Sequence, residues 1–310
     1  MTYAFKRLIG AVPLLLIIIT LAFILMRSVP GGPFDQDRNV PPEIEANLKA
    51  AYHLDKPLYV QYLNYLGGVI RGDLGPSFKY HDYSVSQLIK KGAPVSLRIG
   101  GLAVLVALIL GISLGAMAAI YKSRLFDNIV MGMTMLFLAM PSFVIAPALS
   151  LLFAVVLKWL PVGGWGDTPK QYFLPIISLA IPQIAYITRL VRGAMLEVLQ
   201  SRYILFAKAR GLKAARIIWV HAIRPTMLPV VSYLGPATAS ILSGSIVIEQ
   251  IFSIPGIGRY FIQGGLNRDY TLVLGMVIFF GVLIILSNLL MDLIYSGLNP
   301  RVDYERRGGG

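Results

Sequence analysis

The chain contains no cysteine, so disulfides, thiol nucleophiles and thiolate-held metals are excluded. Its three histidines, His53, His81 and His221, are too scattered to suggest a metal site. No GxxxxGK[ST] phosphate loop occurs, so the chain shows no means of binding ATP itself. Paired carboxylates, a Ser-His-Asp constellation and an HExxH helix are all missing from the apolar runs. Charge is scarce too, at 14% of residues. Intramembrane charge is scarcer still: Arg98, Asp127 and Asp292 each sit near an end of a span, so the mid-depth acids or histidines of an ion-coupled carrier are lacking.

What is present is hydrophobic. Apolar residues make up 56% of the chain and the mean hydropathy is +0.70, which marks an integral membrane protein. The net charge of +13 does not point to nucleic acid, because the basic residues cluster beside apolar runs, where the positive-inside rule expects them.

The runs predict six crossings. Lys6 and Arg7 precede the first, Leu8 to Met26, read as a retained anchor with its N-terminus in the cytoplasm. Residues 1–28 thus form the first spanning helix, and 29–94 an exported loop that folds, with a helix expected over PPEIEANLKAAYHL and another over LYVQYLNYLGGVI before a turn at Gly72-Asp73-Leu74-Gly75. Five more helices occupy 95–300. The second span, Val95 to Ile120, carries Ala107, Gly111, Gly115 and Ala119 at a four-residue step, a pattern that lets helices pack backbone to backbone.

The third run, Asn128 to Leu157, is too long for one upright helix and is interrupted at Pro141-Ser142. Such a break is tolerated where it faces protein or a wet cavity, so Pro141 and Ser142 are candidates for a solute route, with a packing kink as the alternative. The fourth span, Tyr172 to Thr188, continues helically to Leu199. The fifth, Thr226 to Ile248, bears a wide stripe of small residues including Gly235, Ala239, Ser240 and Ser243, read either as close packing or as the lining of a route. The sixth runs from Thr271 to Tyr295. Six crossings return the C-terminus to the cytoplasm, where 301–310 forms a tail whose last three glycines read as an appended linker.

One short loop stands apart. Between Arg189 and Pro225 the only acid is Glu197, while Arg202, Lys208, Arg210, Lys213, Arg216 and Arg224 interleave with apolar residues. This predicts two short amphipathic helices broken at Gly211, with Ala207 and Gly211 on one face open to a docking partner.

The stretch AKARGLKAARIIWVHAIRP resembles the EAA loop of permease subunits of binding-protein-dependent ABC importers, although the leading Glu of that motif is absent and its end is only approximated by Ala222-Ile223-Arg224-Pro225. HLDKPLYVQYLNYLGGVIRGDLGPSF and IEQIFSIPGIGRYFIQGGLNRDY resemble signatures of the oligopeptide and dipeptide permeases. PPEIEANLKAAYHL and PSFKYHDYSV are most similar to the B-type subunit of the oligopeptide branch.

The resemblance implies an all-α, six-helix type I importer permease fold in the bacterial cytoplasmic membrane. It also implies a homologous second permease subunit, two cytoplasmic ATPase subunits that use ATP and Mg, and an extracytoplasmic peptide-binding protein. No cofactor is expected on this chain. Ala207, Lys208, Arg210, Gly211, Leu212 and Lys213 would form the loop that seats on an ATPase. A permease for nickel, glutathione or another small solute of the same family is the alternative, and an ion-coupled peptide carrier or a passive channel a more distant one.

Overall fold

In hydrocarbon every backbone N–H and C=O must be satisfied within its own segment, which is why so apolar a chain folds as helices. A computed structural model describes residues 2–28, 55–80 and 82–298, and among them all regular structure is helical apart from one isolated bridge between Pro76 and Ser84. In chain order the helices are α1 (Thr2–Ser28), α2 (Leu58–Ile70), α3 (Val85–Ile120), α4 (Leu125–Ala139), α5 (Ser142–Ser150) and α6 (Phe173–Leu199). They continue with α7 (Arg202–Ala209), α8 (Ala214–Arg216), α9 (Ile223–Ile251), α10 (Ile257–Leu266) and α11 (Tyr270–Leu298). Wide π turns extend α5 over Leu151–Val156 and join α8 to α9 over Ile217–Ala222.

Helices α1, α3, α6, α9 and α11 are each long and apolar enough to cross a membrane. The remaining candidate is the pair α4 and α5, bent by 107° at the predicted Pro141 break. The cause is local: a residue before proline is pushed out of the helical region, and Met140 is extended at φ −93°, ψ 121°.

Two boundaries differ from expectation. Helix α3 starts at Val85 rather than Val95, because Ser84 and Gln87 form a reciprocal cap: the Gln87 N–H donates to Ser84 Oγ at 3.2 Å and the Ser84 N–H to Gln87 Oε1 at 3.0 Å. After Gly211 there is no separate amphipathic helix, since α8 runs through its π turn into α9. The helix expected over Pro41–Leu54 and the tail 301–310 lie outside the described residues.

The chain divides into two compact units. The first, Met1–Ser96 with Pro255–Leu283, has a core of Val85, Leu88, Ala93, Ile257, Leu272 and Met276. Its organising polar group is Asp269, fully buried. Asp269 accepts from Ser77 Oγ at 2.5 Å, Lys79 N–H at 3.1 Å and Leu272 N–H at 3.0 Å, so it caps α11 and ties the GDLGPSF stretch to the NRDY stretch. Ser96 Oγ accepts the Ile257 N–H at 2.8 Å, satisfying one orphan donor of α10. In the same unit burial pushes the Tyr65 phenol up, and burial followed by the neighbouring Tyr260 pushes the Tyr80 phenol up.

In the second unit, Leu97–Ile254 with Ile284–Gly310, the four-residue step on α3 meets α6. A Cβ added at Gly111 would sit 2.8 Å from Ile187 Cβ, and one at Gly115 2.6 Å from the Thr188 carbonyl oxygen. Ala107 and Ala119 are buried on the same line. The small residues are there for backbone approach. Helix α6 also packs against α4, α5 and α9, so it is the central helix of this unit.

Candidate coupling loop and translocation route

The basic loop is built from α7, a glycine turn and α8. Gly211 has φ +73°. The Leu212 N–H reaches the Ala207 carbonyl at 3.2 Å and the Gly211 N–H the Lys208 carbonyl at 2.9 Å, the two bonds of a Schellman ending. Leu212 then packs on the cluster of Ile204, Ala207 and Ile217, which fixes α7 against the π turn.

That packing changes the role of Ala207. It is turned inward, so its small side chain serves the fit of α7 on Ile217 rather than an outward face. Lys208, Arg210, Gly211 and Lys213 are exposed, as are three further side chains of α7 that the motif does not single out: Phe206 at 70%, Leu205 at 54% and Tyr203 at 47%.

Asp127, at the start of α4, binds Arg192 of α6 through both carboxylate oxygens, at 2.5 Å to Nε and 2.7 Å to Nη2. Ser123, itself at φ +60°, donates its N–H to the same carboxylate at 2.9 Å. Asp127 is buried, and a bidentate, charge-assisted pair of this kind fixes orientation as well as position. The pair ties α6 to α4 about two turns before Leu199, where α6 gives way to α7. In the sequence Asp127 reads only as an end-of-span charge; its partner lies on another helix, where no periodicity points.

The proposed route residues separate into two groups. Gly235 is buried, and a Cβ there would collide with Asn288 Oδ1, so it serves packing. Pro141, Ser240 and Ser243 are exposed, and Ser142 and Ala239 half-buried. The Pro141-Ser142 break does meet the α9 stripe: a Cβ on Gly244 would lie 3.6 Å from Ser142 Oγ and 3.3 Å from Leu179. Beside it, Gln183 of α6 bridges Tyr233 and Ser240 of α9, a contact hidden in the sequence because an isolated glutamine does not interrupt an apolar run. Among the described residues no three of His, Cys, Asp and Glu come together as metal ligands.

Apolar spans around a basic loop define a multi-pass membrane protein, and the family comparison says of which kind. Residues 111–304 match the binding-protein-dependent transport system inner membrane component and residues 1–91 its N-terminal companion, so the chain belongs to this family of multi-pass inner-membrane permeases. It is 50% identical to the oligopeptide transport system permease protein OppB of Haemophilus influenzae over 97% of this chain and 99% of that one. It is 47% identical to OppB of Escherichia coli over the same shares, and 41% identical to the dipeptide transport system permease protein DppB of Bacillus subtilis over 99% of each chain. Among solved structures, chains of the MetNI methionine ABC transporter in inward-facing conformations share the fold, with TM-scores of 0.55 and 0.57 at 15% and 16% identity, covering 69% of this chain and 97% of theirs.

Proposed function

We propose that this chain is the permease subunit of an ATP-driven importer that carries peptides, oligopeptides in particular, across the bacterial inner membrane. The observation that carries this reading is the end-to-end likeness to oligopeptide permeases, stronger than that to the dipeptide permease of Bacillus subtilis. The chain pairs with a homologous second permease. Two ATPase subunits on the cytoplasmic side, using ATP and Mg, supply the energy, and an extracytoplasmic binding protein delivers the peptide.

The loop's geometry supports a mechanism. An ATPase that closes on ATP must favour one permease conformation over another, and a rigidly mounted surface helix transmits that bias. Helix α7 is mounted in this way, through Ile204, Ala207 and Ile217 on its inner side, on a helix α6 that the Asp127–Arg192 pair holds to α4 about two turns before its end. Its outer side offers Phe206 and Leu205 among Lys208, Arg210 and Lys213, a surface suited to an apolar groove with an acidic rim.

The test is purification and transport together. A tagged chain expressed with its neighbours is expected to bring down a second permease and two ATPases, and vesicles holding that complex should accumulate tri- to pentapeptides only with ATP and the binding protein. Uptake that follows a proton gradient and survives ATP depletion would sink the proposal.

A further inference from the structure

Hydroxyls on helices surrounded by hydrocarbon usually give their proton to a carbonyl one turn back, which satisfies them locally. On α9 Thr226 does so to Ala222, Ser232 to Leu228, Thr238 to Gly235 and Ser245 to Leu242. Ser240 differs. Its Oγ accepts the Gln183 side-chain N–H at 3.2 Å, while the Gln183 carbonyl oxygen accepts the Tyr233 O–H at 2.7 Å.

The direction of these bonds matters. Tyr233 gives to Gln183 and Gln183 gives to Ser240, so the network makes no use of the Ser240 proton, and Ser240 stands at an exposed position where that proton can be given to another group. Gln183 itself is only 5% exposed. It lies about 15 Å along α6 from Phe173, well inside the apolar run, where an amide is costly unless it is paired. Tyr186, one turn on, stacks on Tyr233 with ring centres 3.9 Å apart and planes 15° apart, and is 40% exposed. The surroundings also differ from the wholly apolar exposed face of α11, with Leu286, Leu290, Leu293 and Ile294: the line on α9 through Ser240 exposes Ser232, Pro236 and Ser243, with Val247 at its end.

We propose that Ser240, held by Gln183 and Tyr233 and walled by Tyr186, is a contact for the peptide backbone on the translocation route. Ser240 donates to a substrate carbonyl, and the Tyr186 ring offers an apolar face to whichever side chain passes. No charge enters the cluster, so it engages what all peptides share. This rests on the peptide-importer reading above.

The absence of cysteine allows a direct test in the assembled transporter with its binding protein. Ser240→Cys is expected to react with a water-soluble methanethiosulfonate during turnover and to be protected at least about fivefold by saturating alanine tetrapeptide, while Leu286→Cys stays unreactive. Ser240→Ala should lower uptake about three- to tenfold, equally for acidic, basic and apolar peptides, with the ATPases still bound. A thiol at 240 that never reacts would place the cluster against the second permease, and one that reacts without protection would make it wet but not a contact; either overturns the proposal. Should the wild-type transporter take up no peptide at all, the importer reading fails first, and the labelling reports that separately.

Discussion

One methyl group separates two glycines of α3 that look alike in sequence. At Gly101 a Cβ would meet nothing within 4 Å, whereas at Gly115 it would lie 2.6 Å from the Thr188 carbonyl and 2.7 Å from Val191 Cβ. Backbone carbonyls do not move aside as a flexible side-chain tip does, so α3 and α6 would have to separate. Gly115→Ala is therefore expected to cost about 1–3 kcal/mol through overpacking. Gly101→Ala should be neutral or stabilising by up to about 1 kcal/mol through helix propensity. Thermal unfolding of the detergent-purified protein checks the contrast. Equal melting temperatures for the two variants would refute the close α3–α6 contact. Thr188 and Val191 show why the point is decided residue by residue: the four-residue step announces that something approaches, but only the partner's atoms say which glycine is indispensable.

At the level of elements, the first unit is held by a cap that also serves as a latch. Asp269 ends the turn before α11, and its carboxylate reaches back to Ser77 and Lys79. Asp269→Ala would remove the N-cap and leave buried donors without an acceptor, a loss of about 3 kcal/mol when a cap and one unsatisfied group are combined. Hydrogen exchange at residues 77–80 is expected to speed up at least tenfold in this variant and to stay slow in Leu290→Ala, which alters an exposed side chain of α11. Unchanged exchange at 77–80 would refute the latch. Both stretches were legible in the sequence as motifs, but their contact was not, because no periodicity links residues so far apart. The start of α3 is the opposite case. Ser84 and Gln87 spell a capping box that was there to be read, yet Lys90, Lys91 and Pro94 interrupt the hydropathy, and hydropathy reports the buried span rather than the helix that carries it. The bend at Pro141 was readable because proline acts on its immediate neighbour. The Asp127–Arg192 and Gln183–Ser240 pairs were not, since each joins two helices.

For the whole molecule, the question is whether the loop transmits force or merely obeys the charge rule. Its basic residues satisfy both readings, but Phe206 satisfies only one. An aromatic ring 70% exposed on a basic loop has no role in holding α7, whose packing runs through Ile204 and Ala207. Covering the ring in a partner's groove would return about 2 kcal/mol. Phe206→Ala should therefore leave the melting temperature of the isolated chain unchanged. In the assembled importer it should lower ATPase recovery on purification and cut both peptide-stimulated ATP hydrolysis and uptake about tenfold. Gly211→Glu acts by another path: at φ +73° any side chain is strained, so the turn that orients α7 is expected to lose about 1 kcal/mol or more, and coupling falls while the ring itself remains. Combining the two changes should cost little beyond Phe206→Ala alone, because a misdirected helix has no anchor left to lose. Strictly additive losses would mean that the ring and the turn contact different partners, and full uptake in Phe206→Ala would remove α7 from the path by which ATP closure reaches α6.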